Sequence, residues 1–413
     1  MIGSELPKGW KEVKLSDLAE IQSGGTPSRS NSAYWNGDIP WVKISDIKGK
    51  YVTETEEFIT EDGLMNSSAK VFERGTILFS IFATIGKVAI LDIDATTNQA
   101  LVGLKINEFV DKSFLVYALI ELSERISNLG KGVAQKNINI SILKHVRIPL
   151  PPLTEQKQIA EKLDKLFDQI ETIKEASNKI PELLKNFRQQ VLTYAVTGKL
   201  TEEWRKERRL DEWHIELAKD CCEKVQSGGT PKGGQFALSG IPFLKVYNIV
   251  GNKIDFESEP QYVSEEIQNS QIKKSITYPG DVIMNIVGPP LNKVAIIPDT
   301  YKEWNINQAI TLFRPKEYLN NQYLYYFFCE GASVNSVLDK TRGVVGQVNI
   351  SLSQCREFAI SIPPMEEQLE IVKRVQILFD ILDDVERRYN TLCEKLDKLP
   401  QALLCKAFKG ELI

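Results

Sequence analysis

Ile148-Pro149-Leu150-Pro151-Pro152-Leu153-Thr154-Glu155-Gln156 returns, 212 positions later, as Ile360-Ser361-Ile362-Pro363-Pro364-Met365-Glu366-Glu367-Gln368. Phe167-Asp168, Ala195, Gly198 and Leu200 keep the same offset to Phe379-Asp380, Ala407, Gly410 and Leu412, so about fifty residues recur without an insertion. A helix in fixed contact with a partner behaves this way, because one extra residue turns every later side chain by roughly 100°. The apolar pattern agrees. Ile159, Leu163, Leu166, Ile170, Ile173, Ser177, Ile180, Leu184, Phe187, Val191 and Tyr194 alternate spacings of four and three, as do Ile371, Val375, Leu378, Leu382, Val385, Tyr389, Leu392, Leu396, Leu399 and Leu403. One such helix would pack on its own domain; two with ten or more heptad positions each point to one another. Pro181 and Pro400 interrupt the pattern and predict a kink or break near each.

The repeat extends upstream. Gln22-Ser23-Gly24-Gly25-Thr26-Pro27 recurs as Gln226-Ser227-Gly228-Gly229-Thr230-Pro231, and Ile39-Pro40-Trp41-Val42-Lys43 as Ile241-Pro242-Phe243-Leu244-Lys245. Lys87-Val88-Ala89-Ile90 matches Lys293-Val294-Ala295-Ile296, Asn98-Gln99-Ala100 matches Asn307-Gln308-Ala309, and Asn139-Ile140-Ser141 matches Asn349-Ile350-Ser351. Spacing between these blocks drifts, as loops do. Strands are read at residues 75–80 and 280–285, then at Val88 to Leu91, Leu101 to Ile106 and Ala309 to Phe313, with helices over Lys112 to Leu129 and Asn320 to Leu338. The expected fold class is α+β: a tandem repeat of two globular α/β domains, each followed by a long helix, the two helices pairing as an antiparallel coiled coil. The expected domains are residues 1–153 and 202–365, with helical spacers at 154–201 and 366–413.

Composition narrows the function. The chain has 413 residues, 42% hydrophobic and 26% charged, with a net charge of −4, so any nucleic-acid contact must be local. Cys221, Cys222, Cys329, Cys355, Cys393 and Cys405 form no CxxC pair, which argues against a zinc site or disulfide framework and for a reducing, cytoplasmic setting. No leader-like stretch or membrane-length apolar run is read in the sequence. His145 and His214, the two histidines, belong to no catalytic or metal spacing. Ile85-Gly86-Lys87-Val88 lacks the first P-loop glycine and the hydroxyl residue. Gly288-Pro289-Pro290-Leu291 lacks the amide or carboxylate and the aromatic of a base-flipping methyltransferase motif. Asp92 with Asp94 and Asp383 with Asp384 read as solvated surface. No catalytic, cofactor-binding or metal-binding residues are expected.

On the tandem plan, on Ile39-Pro40-Trp41-Val42-Lys43-Ile44-Ser45-Asp46-Ile47, on the two helix starts quoted above, and on Ala195-Val196-Thr197-Gly198-Lys199-Leu200 with Ala407-Phe408-Lys409-Gly410-Glu411-Leu412, the chain resembles the specificity subunit of type I restriction–modification systems over essentially its whole length. The resemblance implies two target-recognition domains on a helical spacer and no catalysis by this chain. Double-stranded DNA would be read as a bipartite site. Two modification (methyltransferase) subunits using S-adenosylmethionine would dock on the helices, and restriction (translocase/nuclease) subunits using ATP and Mg2+ would join them. About 25–40 helical residues span roughly 40–60 Å, one or two turns of duplex at about 34 Å each. A helical turn added at Thr197 to Thr201 is then expected to lengthen the gap between half-sites.

DNA contact calls for Lys, Arg, Asn, Gln and small hydroxyls on loops. The leading candidates are Lys131, Gln135, Lys136 and Asn137 in the first copy, and Lys340, Arg342, Gln347 and Asn349 in the second. The Gly-Gly-Thr-Pro loops add Thr26, Ser28 and Arg29, and Thr230 and Lys232; Ser80, Thr84 and Lys87, with Asn285 and Lys293, form a third group. Lys43 and Lys245 recur in both copies, which suits either a shared phosphate contact or a structural salt bridge. Loop tips differ while the frame is shared: 28–36 faces 232–238, 83–86 faces 288–292, and 131–137 faces 342–347, so an asymmetric target is expected. Residues 1–153 hold 17 basic and 18 acidic side chains and residues 202–365 hold 18 and 20, too balanced for tight non-specific binding. The competing readings are a non-DNA scaffold carrying two ligand-binding domains and a recognition module that has lost its methyltransferase partner.

Overall fold

A computed structural model describes residues 6–82, 84–129, 138–234, 236–341 and 349–413, without the side chains of 124–129 and 339–341. The chain divides into two compact units, one comprising Met1–Asn178 and Asn390–Ile413, the other Lys179–Tyr389. Both mix helix and sheet, and their sheets repeat one plan. In the first unit the strand order is Ala19–Ser23, Leu101–Ile106, Ile77–Ser80, Val88–Leu91, with Tyr51–Val52 added in parallel at the edge. In the second it is Cys222–Ser227, Ile310–Pro315, Val282–Asn285, Val294–Ile296. A smaller sheet is built on Trp35–Val42 in one unit and on Ile241–Leu244 in the other, each pairing parallel to a later strand.

The central strands read as continuous apolar runs because both of their faces are covered. Ile77 and Phe79 face the core shared with Phe114, Leu115 and Leu119 of the helix Lys112–Leu129, whereas Leu78 between them joins Val42, Val52 and Phe72 on the other face. Val282 and Met284 likewise pack with Tyr323 and Phe327, and Ile283 with Leu244 and Trp304. The expected helix Asn320 to Leu338 is two helices, Asn321–Glu330 and Ala332–Thr341. Gly331 stands between them at φ 93°, a left-handed conformation that stops the first.

The repeated helix start is a bonded joint. Gln156 is buried; its Oε1 accepts from Asp111 N at 2.8 Å, and its Nε2 donates to Pro151 O at 2.9 Å and Phe109 O at 3.2 Å. Gln368 does the same in its own unit, with Asn320 N at 2.7 Å, Pro363 O at 2.8 Å and Tyr318 O at 2.9 Å. The preceding glutamates take indole donors: Trp10 Nε1 lies 2.9 Å from Glu155 and Trp213 Nε1 lies 2.8 Å from Glu367. Gln368→Ala is expected to strand three backbone groups. Each buried group left without its partner costs about 1–3 kcal/mol, so the midpoint of thermal unfolding should fall by roughly 5 °C or more. An unchanged midpoint would remove this role from the motif.

Leu153–Ser177 and Ile180–Val196 are separate helices, and the break expected near Pro181 is found. Pro181 sits in the first turn of the second helix, where its missing N–H has no acceptor to lose. Of the kink or break expected near Pro400, the break is absent: Met365–Ala407 runs as one helix of 43 residues with Pro400 inside it. Packing of Leu404, Ala407 and Phe408 into the first unit's core offsets the backbone bond that Pro400 removes. Helices also meet across the repeat. Lys162 Nζ donates to Leu412 O at 2.7 Å in the first unit and Arg374, its equivalent 212 residues on, to Leu200 O at 2.9 Å in the second. Lys174 pairs with Asp397 at 2.9 Å, and Arg188 with Asp383 and Glu386.

Candidate nucleic-acid interface

Three of the repeated blocks converge in each unit. Gly25 N donates to Thr97 O at 2.9 Å, Asn98 N to Val42 O at 3.1 Å, and the Thr26 hydroxyl to Gln99 Oε1. Gly229 N donates to Ile306 O at 3.1 Å, Asn307 N to Leu244 O at 2.9 Å, and the Thr230 hydroxyl to Gln308 Oε1. A Cβ on Gly24 would lie 2.0 Å from Thr97 Oγ1, and one on Gly228 2.0 Å from Asn307 O, so only glycine fits so close an approach. The Gly-Gly-Thr-Pro loop is thereby held at the sheet end where Ser23 opposes Val102, Ser80 opposes Leu101 and Phe79 opposes Val88.

Described residues that flank the other candidate loops reach that same end. Residues 81–87 connect Ser80 to Val88, and the segment after 131–137 returns to it, with Ile138 N donating to Ile81 O at 3.1 Å. In the second unit Ile350 N donates to Ile286 O at 2.9 Å. This corrects the register of one repeated block: Ile138 is equivalent to Ile350, and Asn139 to Ser351. Both of the latter cap the following helix, Asn139 accepting from Ile142 N and Ser351 from Gln354 N. The tandem Asn-Ile of residues 137–140 offers two registers, and cap and strand-end contact select the first. The joint to the helices lies beyond the opposite end of the sheet, past Ile106 and Pro315.

Several candidates are spent on holding this platform. Ser80 and Asn285 are buried. Ser80 Oγ donates to Thr84 O at 2.5 Å and accepts from Lys87 N at 2.8 Å, while Asn285 bonds Pro290 O and Lys293 N at 2.9 and 2.7 Å. Both are bonded within the tip loops they precede. Lys87 Nζ donates to Ile44 O and Ile47 O, and Lys293 Nζ to Val246 O, so both lysines turn inward. Ser28, Arg29, Thr84, Thr230, Lys232 and Asn349 are exposed at the loop end. Lys131, Gln135, Lys136, Asn137, Arg342 and Gln347 lie outside the described residues, as does the side chain of Lys340.

The recurrent lysine differs between units. Lys43 Nζ is 2.7 Å from Glu57 and 3.4 Å from Glu56, and the Glu57 contact holds its ammonium above the ordinary lysine range. Arg29, 2.5 Å from Glu57, holds that carboxylate below the usual range, with Lys43 adding to the effect, and its guanidinium covers the Trp35 ring at 3.7 Å. Lys245 instead faces the rings of Phe236 at 4.7 Å and Tyr247 at 5.9 Å. These aromatic partners were not singled out in sequence; an aromatic beside each loop lysine was the available signal.

Among the described residues no group of three or more His, Cys, Asp or Glu could hold a metal, and no helix is long and apolar enough to cross a membrane. The six cysteines are free.

Residues 7–182 and 211–394 each match the family model described as the type I restriction modification DNA specificity domain. The chain is 27% identical over 431 residues to the specificity subunit of the type I restriction enzyme EcoKI of Escherichia coli strain K12, covering 100% of this chain and 91% of that protein. It is 28% identical over 432 residues to the EcoBI specificity subunit of Escherichia coli, with 98% and 86% covered. Among solved structures, the HsdS subunit from Thermoanaerobacter tengcongensis shares the fold with a TM-score of 0.70 at 20% identity, with 100% of this chain and 99% of that one covered.

Proposed function

Because the chain belongs to the type I restriction modification DNA specificity family, we propose that each globular head reads one half of a bipartite, asymmetric DNA site while the long helices set the spacing and dock two modification subunits. The observation that carries this reading is the convergence, at one end of each head's sheet, of loops that differ in sequence on a frame whose strand order and anchor blocks recur. A common frame with altered tips is what recognition of two different base sequences requires.

Antiparallel pairing of the helices as a coiled coil is supported by their contacts. Residue numbers fall on one helix as they rise on the other, from Lys162 with Leu412 to Lys174 with Asp397, and from Arg188 with Asp383 to Leu200 with Arg374. Docking is supported by heptad positions left exposed: Ile173, Phe187, Tyr194, Val385, Leu392 and Leu399. Apolar side chains that recur on one helical pattern and stay in water mark a binding surface. Chemistry resides in the partners: modification subunits with S-adenosylmethionine, and restriction subunits with ATP and Mg2+, in the cytoplasm. A non-DNA scaffold gains nothing from loop tips that diverge on a shared frame.

The test is footprinting of the chain copurified with its modification subunit. Two protected blocks separated by an unprotected gap are expected; uniform or absent protection would overturn the reading. The chain alone, its heads near electrical neutrality, should bind DNA no better than the roughly 10⁻⁴–10⁻⁶ M of non-specific contacts. Nanomolar, salt-insensitive binding by the isolated chain contradicts that expectation.

A further inference from the structure

The two heads treat one repeated lysine in opposite ways. Opposite Trp41 in the first head stands Glu57, which binds both Lys43 and Arg29. Opposite Phe243, the equivalent of Trp41, stands Gln261, whose backbone oxygen accepts from Phe243 N at 2.8 Å and whose side-chain oxygen is buried without a partner. Replacing the carboxylate by an amide removes the ion pair. Among the described residues no acidic group lies within ion-pair distance of Lys245, and its ammonium is met by the faces of Phe236 and Tyr247. Tyr247 stands where the first head has Ser45, and Gly233 where it has Arg29.

Next to this free cation the second head exposes apolar surface. Leu238 is fully exposed, and Phe236 and Tyr247 are more than a third exposed. The backbone beneath is held: Ala237 N donates to Tyr262 O at 2.8 Å, and Phe236 packs against the buried Phe243 with ring centres 5.4 Å apart. An exposed leucine on a braced loop, a phenylalanine two residues before it, and a lysine over that ring with no acidic partner among the described residues match the needs of a wedge on duplex DNA. The apolar side chain enters a base step while the cation takes a flanking phosphate. The first head's tip, Ser28-Arg29-Ser30-Asn31-Ser32, is polar, and its cations are already neutralised.

We propose that the second head distorts its half-site, with Leu238 against an unstacked base step and Lys245 on the adjacent phosphate, and that the first head does not. The proposal rests on the DNA-reading role given above and adds a division of labour between the heads. Pyrimidine–purine steps, which open most easily, are the preferred target.

The experiment uses the full chain with its modification subunits on the duplex identified by methylation mapping, with 2-aminopurine placed in turn at each position of both half-sites. Apart from the adenine that the modification subunit flips out in each half-site, fluorescence is expected to rise at one step of the second half-site and nowhere in the first. Leu238→Ala should abolish the rise and weaken binding roughly tenfold, within the cost of one lost unstacking contact. Lys245→Gln should lower the slope of log affinity against log salt by about 1, whereas Lys43→Gln should leave the slope unchanged. Leu238 is fully exposed and Lys245 and Lys43 are half-buried, and a circular-dichroism melt checks that each of the three variants folds. Bound DNA with no fluorescence change away from the flipped adenines, or a rise elsewhere in the second half-site that survives Leu238→Ala, overturns the wedge while leaving the recognition role intact. Failure of the unaltered complex to bind any duplex overturns both.

Discussion

Exchanging residues 15–146 for the matching part of another head is expected to replace one block of the methylated site and leave the other block and the gap unchanged. The first head leaves and rejoins its support at one place. Lys11 to Lys14 pair antiparallel with Leu150 to Arg147, so the two cut ends are neighbours. His214–Leu217 and Ala359–Ile362 make the same arrangement in the second head. Trp10, Glu155 and Gln156 stay outside the exchanged part, and from within it only backbone groups, Phe109 O and Asp111 N, bond to Gln156. Each mismatched base pair costs about 1–3 kcal/mol, so a changed block of three pairs should shift preference by roughly 10²-fold or more. Methylation mapping of DNA from cells carrying the exchanged chain and its modification subunit reads this directly. A change in both blocks would dissolve the assignment of one half-site to one head.

The second large effect concerns spacing. One helical turn, about four residues and 6 Å, inserted in both helical strands should lengthen the preferred gap by about two base pairs. Modification at the original gap should fall to background. The junction at Thr197 to Thr201, the place first suggested by sequence, is unsuitable. Thr201 is buried and donates to Glu367 at 2.6 Å, and Leu200 O accepts from Arg374, so an insertion there breaks a head's own support. Asn178–Lys179, between two helices, and Tyr389–Asn390 on the long helix are the sites where the compact units divide. Methylation at unaltered spacing, or altered half-site bases, would defeat the ruler.

Architecture was legible because repetition reports on contacts: a residue kept at a fixed offset through fifty positions is kept by something. The candidate interface was legible only as loops. Ser80, Asn285, Lys87 and Lys293 have the chemistry of DNA contacts and the positions of loop supports. Residue type does not reveal that their bonds point inward. The two indoles that donate to Glu155 and Glu367 lie 145 and 154 residues away in sequence, a pairing that no local pattern announces. Pro400 shows the reverse limit, where local preference forbids what tertiary packing permits.

Neither compact unit is made from a single repeat. The first takes Asn390–Ile413 from the second copy, and the second takes Lys179 onward from the first. This is the reciprocal exchange of a domain-swapped homodimer, written into one polypeptide. Two identical half-length chains exchanging the same helices would be bound by their rotation axis to carry identical heads. Joining them abolishes that obligation. Glu57 and Gln261, at matching places, show the freedom in use: inheritance can alter one head without consulting the other.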